Sequence, residues 1–297
     1  MMVESSEQEQ AAGPRPGRRA RVLVAVCALL LVPVLVLFAL YGAARPVSGP
    51  KEFLPPPRDG IAFWGHSCLY LNLDGLGFIT DPVFSNRYSP TSRRMIGRPT
   101  PAACRGVRLV LLSHAHADHL CPESLDMMPR DVKILCSPPC AKHLAGRDFK
   151  VLKLWEEYVF EGLTITATPA DHAGGRYSVD AEPDGRAIGF VIRSPAGSIY
   201  YTGDTRYFDG FKEIRRRLSP DLMIVNVNTH LRGDAISAWR DLGEPTVIPA
   251  HHAAFSSPTS AKNYKWQAQL RAAAGPRYRE IPLGKSVPLA ELMPRSE

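Results

Sequence analysis

Three imidazoles and one carboxylate fall within six residues of the chain, in the string Ser113-His114-Ala115-His116-Ala117-Asp118-His119-Leu120. Neutral imidazole and carboxylate suit zinc and similar divalent ions, and a loop leaving a strand can turn alternate side chains toward one point. Three more residues repeat the pattern of an apolar run ending in a loop with one ligand-type side chain. They are His172 after 164–170, Asp204 in Tyr201-Thr202-Gly203-Asp204-Thr205, and His251 in Ile248-Pro249-Ala250-His251-His252. Singly, each would more often be structural; with the cluster they complete a set of seven. A divalent ion lowers the pKa of its water from about 15.7 to about 7, so the chemistry such a set points to is hydrolysis by direct attack of hydroxide, without a covalent enzyme intermediate. Asp118 is placed to orient the nucleophile and to assist proton transfer to the leaving group.

Three further residues carry two readings each. Asp81 either accepts a hydrogen bond from a ligand imidazole and fixes its tautomer, or stabilises the turn before Pro82. His66 either acts beside the site or occupies a buried turn. His252 competes with His251 for the ligand role.

The elements that must position these residues follow from patterning. Short apolar or alternating runs predict strands over 61–64, 68–73, 78–80, 108–113, 132–136, 164–168, 187–193, 198–202, 222–227 and 246–249. Asp74-Gly75 is a hairpin turn signal between the second and third of these. Helices are expected over 123–128, 139–144, 208–218, 234–242 and 260–274. Strands alternating with helices in one body argue for an α/β arrangement with layered sheets.

The order H-x-H-x-D-H followed at growing distance by His, Asp and His resembles the signature of the metallo-β-lactamase superfamily, over residues 61–290. Phe63-Trp64-Gly65-His66-Ser67 followed by 76–82 (LGFITDP), and Pro169-Ala170-Asp171-His172 with Arg176, are similar to one branch. That branch contains N-acyl-phosphatidylethanolamine-hydrolysing phospholipase D and L-ascorbate 6-phosphate lactonase. The resemblance implies a four-layer αββα sandwich with two divalent ions at one edge of the paired sheets, Zn2+ first and Mn2+ or Fe2+ as other occupants. One ion would take His114, His116 and His172, the other Asp118, His119 and His251, with Asp204 as a bridge. No cysteine occupies any of these positions. The pattern P-x-H-x-x-x-F, with Pro249, His251 and Phe255 in register, prefers His251 to His252. Two departures bear on the pocket: Ala253-Ala254 stand where phospholipase-like members carry Gly-Thr, and 225–238 looks shortened.

Charge and hydropathy frame the rest. The chain has 297 residues, 36 Lys plus Arg against 29 Asp plus Glu, and a net charge of +7. Hydrophobic residues make up 45% and charged residues 22%, which excludes wholesale disorder, and six cysteines exclude a disulfide scaffold. Residues 22–41 hold no charge, and arginines cluster before them. These features predict a transmembrane anchor over 22–41 with a cytoplasmic tail, 1–21, and the catalytic domain beyond the membrane. Cleavage at Gly42-Ala43-Ala44, releasing a secreted domain, is the other reading. A Pro/Gly-rich linker, 42–60, leads to the hydrolase domain, 61–292. Cys136 and Cys140 could pair if the domain is exported.

Between Pro82 and Ala117 there are six arginines (Arg87, Arg93, Arg94, Arg98, Arg105 and Arg108) and no acidic residue. A cationic rim there would favour an anionic small molecule or a phospholipid; a solvated basic loop is the other reading. No additional nucleic-acid module accompanies these charges, so a nucleic-acid partner is not expected. The expected activity is phosphodiester cleavage, with a lactonase or esterase second, then a nuclease. A non-catalytic binding module would need a damaged ligand set, and none of the seven positions is damaged.

Overall fold

The structure, a computed structural model, describes residues 17–43, 49–50, 52–177, 185–227, 234–256 and 260–293. Contacts divide the chain into two units, Met1–Arg45 and Pro46–Glu297.

In the first unit, helix α1 spans Arg18–Ala43. Among the described residues no helix is long and apolar enough to cross a membrane. The expected anchor over 22–41, and with it the single-pass localisation, is corrected accordingly. Most of the expected tail (1–16), residues 44–48 and 51 of the linker, and Ala44 of the cleavage signal lie outside the described residues.

The second unit carries the strands β1 (Gly60–Gly65), β2 (Cys68–Leu73), β3 (Leu76–Thr80), β4 (Arg93–Arg94) and β5 (Val107–Leu112). Helix α2 (Pro122–Leu125) follows, then β6 (Lys133–Cys136), a 3-10 turn over Pro138–His143, β7 (Phe149–Val151), β8 (Glu157–Phe160) and β9 (Leu163–Ala173). The chain continues through β10 (Arg186–Ser194), β11 (Gly197–Tyr201), α3 (Gly210–Leu218), β12 (Leu222–Asn226), α4 (Ala235–Asp241) and β13 (Thr246–Ala250). It closes with β14 (Phe255–Ser256), α5 (Ser260–Ala274), β15 (Ser286–Pro288) and α6 (Leu289–Leu292). Asp74 and Gly75 have φ of 52° and 85°, as a two-residue turn joining β2 to β3 requires.

Two sheets result, ordered β15-β1-β2-β3-β5-β6-β7 and β13-β12-β11-β10-β9-β8. Alternation along each strand decides the layers. Leu109 and Leu111 of β5 join Ile165, Phe190 and Ile224 of the second sheet in a core between the sheets. Val110 and Leu112 face the other way, onto Leu125 and Leu144. The outer face of the second sheet is covered by Phe211 and Ile214 of α3, Trp239 of α4 and Leu270 of α5. The α/β sandwich is therefore asymmetric: three helices cover the second sheet, whereas short helical turns and loops cover the first. The expected helices over 123–128 and 139–144 shrink to α2 and the 3-10 turn.

Parallel pairing sets the functional edge. β3, β5, β6 and β7 are parallel, as are β11, β12 and β13. Ligands in such sheets collect at the carboxyl ends of the strands. Asp81 follows β3, the His-rich loop follows β5, Asp204 follows β11, Asn226 ends β12 and His251 follows β13. His172 lies inside the long strand β9, near its end, rather than in a loop after it.

Candidate metal centre

All seven ligand candidates converge at that edge. His116 Nδ1 lies 2.9 Å from His114 Nε2 and 3.1 Å from His172 Nε2. Ring nitrogens brought this close by two different sheets share one focus, and a cation can accept all three lone pairs at once. Burial first, and then the neighbouring imidazoles of His119, His172 and His116, push His114 well below the usual histidine range, so it stays a neutral donor.

A second focus gathers His66, Asp118, His119 and His251, with one ligand atom of each within 4.8 Å of the others. Asp118 Oδ2 is 3.3 Å from His66 Nε2 and 3.5 Å from His251 Nε2. Asp204 turns Oδ1 to His119 Nε2 at 3.4 Å and Oδ2 to His251 Nε2 at 3.6 Å. Both oxygens thus face the second focus, while the charge of Asp204 also acts on His114 and His172 of the first. Burial opposes the charge on Asp118 and Asp204, but the surrounding imidazoles outweigh it and hold both carboxyls well below the usual carboxylate range.

The donor set fits divalent ions. His119 Nε2 is fully buried and makes no hydrogen bond, an arrangement that is costly unless a cation occupies the lone-pair direction. Its other nitrogen is spoken for: Nδ1 donates to Asp81 Oδ2 at 2.7 Å.

Asp81 organises more than one ligand. It is fully buried and accepts from Ser113 N at 2.8 Å, Ser113 Oγ at 2.5 Å and Tyr201 OH at 2.5 Å, besides His119. With its own proton given to Asp81, Ser113 Oγ accepts from His114 Nδ1 at 2.9 Å. One carboxylate therefore fixes the tautomer of an imidazole in each focus, leaving both Nε2 atoms for ions. Of the two readings for Asp81 the hydrogen-bond reading holds.

Patterning had not singled out Asn226, Ser67 or Tyr201. Asn226 Nδ2 donates to Asp204 Oδ1 at 2.9 Å and to Ser67 Oγ at 3.1 Å. A polar residue at the end of the buried run of β12 was the available signal. Tyr201 had none, since its ring reads as ordinary core. Arg176 donates from Nη1 to the carbonyls of Leu120 at 2.6 Å and Ala115 at 3.3 Å, which pins both ends of the His-rich loop.

His252 is not a ligand. Its ring packs on Phe63 with centroids 4.9 Å apart, and Nε2 donates to the Pro249 carbonyl at 3.2 Å. Burial lowers its pKa to about 4. Ala253 takes φ of 68° where the phospholipase-like pattern has glycine, a conformation less easily held by alanine. The arginine-rich stretch is dispersed. Arg94 is buried beneath Phe84 and Phe255, and Arg108 pairs with Glu161 at the opposite end of β5. Arg87 precedes Tyr88, whose ring stacks on His66 at 5.7 Å, and Arg93 lies in β4. Cys136 and Cys140 are both free thiols, so the conditional pairing is absent here. Residues 228–233 of the shortened stretch lie outside the described residues.

Comparison with known proteins agrees with this geometry. Residues 77–252 match the family model described as the Beta-lactamase superfamily domain. A UPF0173 metal-dependent hydrolase of Pyrobaculum neutrophilum is 27% identical over 214 residues, 66% of this chain and 84% of its own length. Igni18, a metallo hydrolase from Ignicoccus hospitalis, shares the fold with a TM-score of 0.61 and 23% identity, over 77% of this chain and 97% of its own. An isothiocyanate hydrolase from Delia radicum gut bacteria does so at 0.61 and 21%, over 77% and 98%. None of these three carries the name of the phospholipase D or ascorbate lactonase branch. The matched family model spans both the His-rich loop and His251, and the chain belongs to the beta-lactamase superfamily, among its metal-dependent hydrolases.

Proposed function

We propose that the chain hydrolyses a phosphodiester at a centre of two divalent ions, zinc first, held by the two foci and linked through Asp204. The observation that carries this reading is the pair of ligand foci drawn from both sheets. Ions held there supply Lewis acidity and lower the pKa of water to near 7.

The protein's own residues divide the remaining work. Asp118 has a side chain 20% exposed against 3% for Asp204, so it is the carboxylate that can reach a water and a substrate. It orients the attacking water and takes up its proton. Water oxygen bonds to phosphorus, the ester P–O bond breaks, and the proton passes from Asp118 to the leaving oxygen. Asp204, tied by Asn226, stays fixed. Arg87 and Arg93 supply the positive charge that favours an anionic substrate.

The loss of Arg94 and Arg108 from the rim favours a second reading, a lactone or ester, for which less charge is needed. Assaying bis(p-nitrophenyl) phosphate beside an aliphatic lactone, with Zn2+ or Mn2+ added, tests the choice. Phosphodiester turnover that disappears on chelation is expected. Lactone turnover without phosphodiester turnover would replace the first reading by the second, and turnover of neither would reject both.

A further inference from the structure

The turn Gly65-His66-Ser67 sits where β1 ends, and its histidine is held by unusual means. His66 takes φ of 59°, a region unfavourable to a non-glycine residue and concentrated at functional sites. The conformation is locked by two short backbone bonds to the neighbouring ligand segment. His66 N donates to the His252 carbonyl at 2.8 Å, and His251 N donates to the His66 carbonyl at 2.7 Å. Gly65, at φ of 94°, permits the approach, since a Cβ there would stand 2.8 Å from Ala254 Cβ. The ring is wedged between Tyr88 and His251, 3.9 Å from the latter by centroids, and is buried.

What this ring does is argued from its distance to Asp118 together with its place in a cluster, one ligand atom each of His66, Asp118, His119 and His251 lying within 4.8 Å of the others. Its Nε2 lies 3.3 Å from Asp118 Oδ2. A charge-assisted hydrogen bond between a ring N–H and a carboxylate closes to about 2.7–2.9 Å, as His119 Nδ1 does on Asp81. Two ligands at adjacent corners of a tetrahedron, each about 2.0–2.2 Å from a zinc ion, stand about 3.3–3.6 Å apart. The separations among His119, His251, Asp118 and Asp204 run from 3.4 to 3.6 Å. The His66–Asp118 separation belongs to that series.

Building on the two-ion reading above, we propose that His66 is itself a ligand of the second ion, beside Asp118, His119 and His251, rather than a proton-transfer group. The second position then carries four protein residues before Asp204 is counted. The trihistidine position carries three, and is the one with room for substrate.

The full-length chain, stripped with chelator, is titrated with Co2+ and Zn2+ by calorimetry, and the visible absorption of Co2+ is followed. Wild type is compared with His66→Asn and His66→Ala. Asparagine tolerates the left-handed backbone and can still hydrogen-bond Asp118, yet it is a poor ligand for these ions. Thermal melts of the stripped proteins establish that each variant folds. The proposal expects both variants to lose affinity for the second ion by more than the roughly 10–100-fold that removal of an outer-shell hydrogen bond costs. It also expects a changed Co2+ spectrum, and recovery of His66→Ala by added imidazole. A His66→Asn protein that keeps the second ion within about 100-fold and leaves the Co2+ spectrum unchanged would overturn the ligand role alone. A wild type that takes up no more than one ion would overturn the two-ion reading and this proposal together.

Discussion

The two foci are made of different material. One is three imidazoles, two from the loop after β5 and one from β9. The other mixes carboxylates with imidazoles and receives residues from β1, β5, β11 and β13. In the first, burial and then the surrounding imidazoles keep His114 neutral before any ion arrives. In the second, burial disfavours the charge on His119, yet Asp204, Asp118 and Asp81 outweigh it and hold its pKa well above the usual range. A histidine held neutral in one focus thus stands beside a histidine that holds a proton in the other.

Breaking either cage should stop the enzyme. His116→Ala is expected to empty the trihistidine focus and Asp118→Ala the mixed one, each with turnover falling to background. Metal content by mass spectrometry with a parallel rate assay checks this, and full activity in either variant would sink the shared-centre reading. A smaller effect should come from the carboxylate that serves both. Asp81→Asn is expected to weaken ion binding about 10–100-fold in both foci, because both tautomers depend on it. A loss confined to one focus would show that the Ser113 link is idle.

The stored proton gives the next contrast. Loading the mixed focus must displace the proton of His119, so affinity there should weaken about tenfold for each unit the pH falls while that proton remains bound. His114 of the trihistidine focus is already neutral and has no proton to release. Calorimetry in buffers of different ionisation enthalpy separates the two, and equal proton release would erase the distinction. The smallest effect concerns neighbours in sequence: His252→Gln should leave the number of bound ions unchanged, whereas His251→Gln should lower it.

The same contrast explains what was legible in the sequence. His114, His116, Asp118 and His119 are packed into one loop, so their spacing alone announces a metal site. His172, Asp204 and His251 became convincing only beside that cluster, since each is one polar residue at the end of an apolar strand. Strand interiors were legible because alternation and β-branched runs report a two-faced sheet, and 68–73 and 260–274 match β2 and α5 to the residue. The edge strands β7, β8 and β15 were not, being short and only partly buried. Asn226 and Tyr201 escaped because their roles depend on contacts with residues far away in the chain. The apolar run over 22–41 misled for a different reason: the anchor was read from hydropathy alone, whereas among the described residues no helix is long and apolar enough to cross a membrane.

Gly203 has a consequence for the tolerances of the whole assembly. It precedes Asp204 at φ of 56°, and a Cβ built on it would stand 2.7 Å from the Cβ of Ser113 on the opposite sheet. At this point the segment that carries Asp204 has no room for a side chain against Ser113 and the Ile188 carbonyl. The approach of the loop after β11 to the start of the His-rich loop therefore depends on this glycine rather than on any ligand side chain. A single methyl group at 203 would act as a shim against Ser113 and the Ile188 carbonyl, displacing the segments that carry the ligands while leaving every ligand residue unchanged in kind.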